Sequence, residues 1–202
     1  MVFRRLTATV FAVAIAFTAM PSWASAPSEV IRSFNAALLD VMRNADTLGF
    51  DGRYRKLEPA VRSTFDLEFM MHYAVTRHWE ALTPAQREQL VDSFGRMTVA
   101  TYANRFDDYA GEKFEVLEEV PQRQGMTLVK SRIFDSEGKP IALNYLMRET
   151  PEGWRVVDVF FKGSISELAT RRSEYSSVMQ RDGYDALNSR LAALAVNEAK
   201  AP

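Results

Sequence analysis

Residues Trp154-Arg155-Val156-Val157-Asp158-Val159-Phe160-Phe161, followed by Lys162-Gly163-Ser164, decide how this chain is read. Side chains of a strand alternate between faces, so Trp154, Val156 and Phe160 are expected on one side and Val157, Val159 and Phe161 on the other. A strand apolar on both parities needs cover on both, which places it in the middle of a structure. Lys162 to Ser164 then breaks the run, and Ser164 or Ser166 can cap a helix continuing through Leu168, Ala169 and Arg172. A central strand feeding a helix defines a scaffold and leaves its use open.

Upstream of this stretch the period is also two. Four strands are predicted, Phe114–Val120, Met126–Phe134, Pro140–Arg148 and Trp154–Phe161, with Gly- and Pro-containing turns between them. Short turns between successive strands imply an antiparallel meander. In the third strand Ile141, Leu143, Tyr145 and Met147 share one face, with Asn144 and Arg148 on the other.

The first half of the chain reads as helix. Pro27 opens a helix with Val30, Ile31, Phe34, Leu38, Val41 and Met42 at spacings of three and four, ended by Gly49 and Gly52. Arg53 to Phe65, containing Pro59, predicts one or two helical turns, and Asp66 caps a helix from Leu67 to Tyr73. Thr83-Pro84-Ala85-Gln86 is a capping box with a proline start. It opens the longest helix, predicted to reach about Tyr109, with an apolar face of Leu90, Val91, Phe94, Met97, Thr98, Thr101, Tyr102, Phe106 and Tyr109. Two more helices, about Ile165–Gln180 and Tyr184–Ala199, flank Gly183. The predicted class is α+β, a four-stranded meander packed against a helical N-terminal half and two C-terminal helices.

At the N-terminus, Arg4 and Arg5 precede an apolar run from Leu6 to Ala19, then Pro21, Ser22 and small residues. This is the layout of a secretory signal peptide, expected to span residues 1–24, with residues 25–202 forming a single domain. Without the two arginines the remainder holds 23 Lys and Arg against 26 Asp and Glu, a net charge of −3, which is no footprint for nucleic acid. There is no cysteine, so a secreted chain must rely on its core alone. A soluble periplasmic product is expected.

Little polar chemistry announces itself. His72 and His78, six positions apart on a helix, lie roughly 240° round from each other and cannot share a metal from one face. No Gly-x-Ser-x-Gly elbow and no Gly-rich phosphate loop is present. Asp158 stands in the most apolar strand, where it is either a general base working with a histidine or a structural carboxylate held by Arg or backbone donors. The stronger signal is bulk, since aromatic residues and methionines such as Phe69, Met71, Trp79 and Phe161 are abundant for one domain.

Beyond these patterns, Phe65-Asp66-Leu67, Met70, Trp79, Leu82-Thr83-Pro84-Ala85-Gln86-Arg87, Phe94 and Thr101-Tyr102 resemble the first half of one family. Tyr145-Leu146-Met147, Gly153 to Val159, Gly163 and Gly183-Tyr184-Asp185 with Leu187 and Leu191 resemble its second half. It is the toluene-tolerance, MlaC-like family of periplasmic lipid-binding components of ABC-type lipid transport. Leu48 to Tyr54 and Ile165 to Tyr175 look closest to the hopanoid-biosynthesis-associated branch. Two positions depart from the pattern: Thr76 stands where relatives tend to have glycine, and Gly163 to Ser166 is one residue longer than the usual Gly-x-Ser.

The resemblance implies an NTF2-like cone with an apolar pocket and a non-enzymatic monomer without cofactor. Such a carrier shuttles phospholipid or hopanoid between inner- and outer-membrane transport complexes. A buried methylene is worth about 0.8 kcal/mol, so exposing one C16 chain to water costs on the order of 12 kcal/mol, and a carrier must enclose the tails. The expected wall is Met70, Tyr73, Phe94, Met97, Tyr102, Leu143, Tyr145, Met147, Val157 and Phe160. Two rival expectations are a docking scaffold without a cavity and a small enzyme using Asp158 with His72 or His78.

Overall fold

The computed structural model describes residues 25–200; the expected leader, residues 1–24, lies outside them. Helix α1 (Pro27–Arg43) starts on its proline and buries Ile31, Phe34, Leu38 and Val41. It ends at Asn44, before either expected glycine. Helix α2 (Ala45–Thr64) follows at once, bent at Gly49, whose φ of 57° only glycine adopts without strain. The one or two turns expected around Pro59 are therefore the body of a 20-residue helix. Proline is tolerated because Pro59 faces solvent, where water can satisfy the carbonyl it frees, while Leu57 and Val61 anchor the opposite face.

Asp66 caps α3 (Leu67–Val75) by accepting from the Phe69 amide at 3.0 Å, and Arg148 Nε donates to its other oxygen at 2.6 Å. A 3₁₀ turn, Thr76–Ala81, begins with Thr76 at φ 42°. Helix α4 (Pro84–Arg105) opens on the expected capping box, in which Thr83 Oγ1 accepts from the Gln86 amide and Gln86 Oε1 from the Thr83 amide. It stops at Arg105 rather than near Tyr109, because Asp107 and Asp108 would add negative charge to an already negative helix end. Arg53 answers that end instead, donating from Nε to the Ala103 carbonyl at 2.8 Å. Helix α4 is buried on nearly every side, from Leu90, Phe94 and Met97 to Val99, Ala100 and Ala103, and forms the axis of the fold.

The sheet runs in simple order: β1 (Lys113–Pro121), β2 (Thr127–Phe134), β3 (Pro140–Thr150), β4 (Gly153–Phe161) and β5 (Ile165–Ser166), every neighbour antiparallel. The meander thus has five strands rather than four. Lys162 (φ 52°) and Gly163 (φ 81°) reverse the chain tightly enough for Ile165 and Ser166 to pair with Phe161 and Phe160. Ser166 then accepts from the Ala169 amide and caps α5 (Glu167–Arg181), which is followed by α6 (Gly183–Lys200).

A bulge in β4 corrects the expected faces. Leu146 sits opposite Asp158 but Met147 opposite Val156, so Val157 is an extra residue. Parity flips across it. Val156, opposite Met147, shares the helix-facing side with Val159 and Phe161, opposite Tyr145 and Leu143, whereas strict alternation separates them. Phe160 pairs with Asn144 on the other side.

Candidate functional site

Between α4 and the helix-facing side of the sheet lies an apolar cavity of about 200 Å³. Helix α4 contributes Phe94, Thr98, Thr101, Tyr102, Arg105 and Phe106, a stripe at helical spacing. Facing it are Ile133 of β2, Ile141, Leu143 and Tyr145 of β3, and Val159 and Phe161 of β4. Phe65 and Met70 contribute from before α3 and within it, and Glu167 and Arg171 of α5 complete the wall. A second cleft, lined by Glu29, Ser33, Ser63, Glu152 and Arg155, is a surface groove of polar character.

The cavity has an aromatic frame. Tyr102 meets Phe34 edge-on at 5.2 Å between ring centroids and stacks on Phe106 at 5.8 Å, and Phe106 lies 6.1 Å from Phe114. These contacts fix the ring of Tyr102, whose hydroxyl has no hydrogen-bond partner among the described residues. Burial pushes the pKa of Tyr102 and Tyr145 well above the ordinary phenol range, and among the described residues no hydrogen bond offsets it in either. Tyr175 differs, because Arg171 Nη1 donates to its hydroxyl at 2.9 Å.

Helix α5 is pinned beside the cavity at its N-terminus. Asp158 is 7% exposed. Its Oδ1 accepts from the amides of Val159 at 2.7 Å and Leu168 at 3.0 Å, and its Oδ2 from Ser166 Oγ at 2.6 Å. Burial nonetheless raises its ionisation above the usual carboxylate range, the three donors pulling the other way. Both oxygens are engaged in holding a helix start, and neither histidine is among the partners. His72 stacks on Trp79 at 5.1 Å, and Arg77 Nε lies 3.4 Å from His78 Nε2. Among the described residues no cluster of His, Cys, Asp and Glu could hold a metal ion, and no helix is long and apolar enough to cross a membrane.

Of the ten expected wall residues, Met70, Phe94, Tyr102, Leu143 and Tyr145 line the cavity and five do not. Tyr73 is 42% exposed, stacked on Phe69 beneath the Arg172 guanidinium. Met97 lies one residue off the stripe, its sulfur against Thr101 Oγ1 and Arg171 Nη1. Met147 is fully buried, opposite Val156. Val157 is the bulged residue, and Phe160 lies on the far side of the sheet. Neither tryptophan among the described residues touches the cavity. Trp79 lies under Arg87, and Trp154 lines the polar groove at the other end of β4.

Residues missed as wall include Thr98, Thr101 and Phe106, although all three lie on the apolar face read for α4. Arg105, Glu167 and Arg171 carried no signal for the cavity, because charged residues near helix ends are normally solvated.

Comparison with known proteins agrees with this geometry. The family model described as "MlaC: MlaC protein" matches residues 32–193. A search of curated proteins found no match. Among solved structures, the fold resembles a phospholipid-binding protein from Ralstonia solanacearum in complex with a phospholipid. The TM-score is 0.75 at 19% identity, covering 87% of this chain and 99% of that one.

Proposed function

Because the chain belongs to the MlaC family, we propose that it is a lipid carrier that encloses acyl tails in the cavity between α4 and the sheet. The observation that carries the reading is the cavity itself: apolar along its length, framed by aromatic rings, and charged only at Arg105, Glu167 and Arg171. Its 200 Å³, at about 30 Å³ for each water-sized group, takes on the order of seven methylene-sized groups, a portion of one long acyl chain. The Ralstonia protein of like fold holds a phospholipid, which favours a phospholipid cargo over a hopanoid. Leu143, Tyr145, Phe94, Tyr102 and Met70 are the lipid contacts.

The carrier operates in the periplasm after loss of residues 1–24, as one domain spanning residues 25–202, and ferries its cargo between inner- and outer-membrane complexes. Tails pass from bilayer to cavity at nearly constant free energy, so neither end traps them. No catalytic residue is needed. The test is native mass spectrometry of the mature protein isolated from periplasm, followed by organic extraction. A discrete added mass that extracts as phospholipid is expected. A bare protein mass together with no uptake from labelled vesicles would refute the carrier and favour the docking scaffold.

A further inference from the structure

Thr98, Thr101, Tyr102 and Tyr145 are the hydroxyl-bearing residues of the cavity wall, and the protein satisfies only the threonines. Thr98 donates back to the Phe94 carbonyl at 2.8 Å and Thr101 to the Met97 carbonyl at 3.0 Å. Among the described residues neither phenol hydroxyl has a hydrogen-bond partner. Bulk solvent does not replace one, since Tyr145 is 1% exposed and Tyr102 is partly buried.

The two phenols come from facing walls, Tyr102 from α4 and Tyr145 from β3. They lie close enough for Tyr102 to act electrostatically on Tyr145. Arg105, which is exposed, marks the solvent end of the α4 stripe. Tyr102 stands one turn inward from it, about 4.5 Å along the helix axis. A buried donor without an acceptor costs free energy, and a hydrocarbon tail offers no acceptor. Tails packed against both rings would strand both hydroxyls. The cost disappears when the cargo itself carries acceptors to that depth. In a diacyl glycerolipid the acceptors that adjoin the tails are the ester carbonyls, one for each chain. Donors on facing walls suit two chains lying side by side.

We propose that the Tyr102 and Tyr145 hydroxyls donate to ester carbonyls of the cargo, so that the cavity prefers ester-linked to ether-linked lipids bearing the same head. This rests on the carrier reading. An ether-linked lipid has a methylene in place of each carbonyl and leaves the phenols without that acceptor. The same bonds set the depth to which the tails enter.

The experiment offers the mature protein vesicles with equal parts dioleoyl phosphatidylglycerol and its dioleyl ether analogue, then counts each lipid bound by mass spectrometry. A preference of about tenfold for the ester is expected, the scale of one to two net hydrogen bonds. Tyr102→Phe and Tyr145→Phe keep the rings and remove only the hydroxyls. Each should lower the preference to about threefold, and the double variant, its fold checked by circular dichroism, should bring it near parity. Infrared spectra with isotopically labelled ester carbonyls read the bond directly: the band of bound lipid should stand at lower wavenumber in the parent than in the double variant. Equal uptake of the two lipids by the parent, or a ratio or band unchanged in the double variant, would overturn the subsite while leaving the carrier intact. No uptake of either lipid by the parent would instead overturn the carrier.

Discussion

Replacing Thr98 by phenylalanine separates the cavity's role in cargo from its role in folding. Thr98 lies in the middle of α4, its side chain facing the cavity and its hydroxyl donating to the Phe94 carbonyl at 2.8 Å. That carbonyl belongs to a continuous helix, so losing the hydroxyl orphans no backbone group. The ring adds about four carbon-sized groups to the lumen, and each methylene displaced from cargo costs about 0.8 kcal/mol, so affinity should fall by about 3 kcal/mol, on the order of 10²-fold. The empty fold meets the opposite effect, because the ring fills space that had no partner atoms. With overpacking set against that gain, Tm should stay within roughly 5 °C of the parent. The assay is thermal unfolding of delipidated protein beside lipid uptake from labelled vesicles. A folded Thr98→Phe chain that takes up the parent's amount of lipid with the parent's affinity would refute the placement of the tails along α4.

Asp158→Asn should remain folded and still retain lipid, since an amide can accept from Val159 and Leu168 while donating to Ser166; loss of lipid from the folded variant would contradict this. Burial raises the folded-state ionisation of Asp158, so the native state binds its proton more tightly than the unfolded chain does. Wild-type stability should consequently fall as pH rises from the unfolded value near 3.8 through the raised one, and Asp158→Asn should lack this component in chemical-denaturation curves at several pH values. Thr76→Gly should stabilise the chain by up to about 1 kcal/mol in the same assay, by relieving a positive φ at threonine, less the hydrogen bond it donates to the Tyr73 carbonyl. Thr83→Ala removes the side-chain cap of α4 and should cost about 1 kcal/mol, read as a lower Tm.

What the residues revealed in advance followed from local rules. The capping box, the Asp66 cap, the start on Pro27 and the antiparallel meander are each set by a few neighbouring side chains, so spacing alone discloses them. The bulge at Val157 was hidden because all of Val156, Val157 and Val159 suit a strand on either face. Only pairing with β3 decides which is extra, and that one residue misplaced Val157 and Phe160. Pro59 concealed α2 because local propensity disfavours it, whereas burial of Leu57 and Val61 on the opposite side overrides the penalty. Met97 and Met147 illustrate a different limit. Periodicity assigns a face, but whether that face meets packed side chains or empty space is a matter of three-dimensional fit. Arg171 meets Phe94 and Met97 only when α5 folds back onto the middle of α4, across 74 positions of chain from Met97 that no motif spans.

The placement of Trp79 and Trp154 away from the lumen has an optical consequence. Indole emission is sensitive to its immediate surroundings, and cargo entering or leaving touches neither ring. Tryptophan fluorescence will therefore follow unfolding while staying nearly silent to exchange. The phenols of Tyr102 and Tyr145, facing the lumen, trade empty space for hydrocarbon, so tyrosine absorbance and near-ultraviolet dichroism carry the exchange signal. One unlabelled sample can thus report loss of structure and loss of cargo on separate wavelengths.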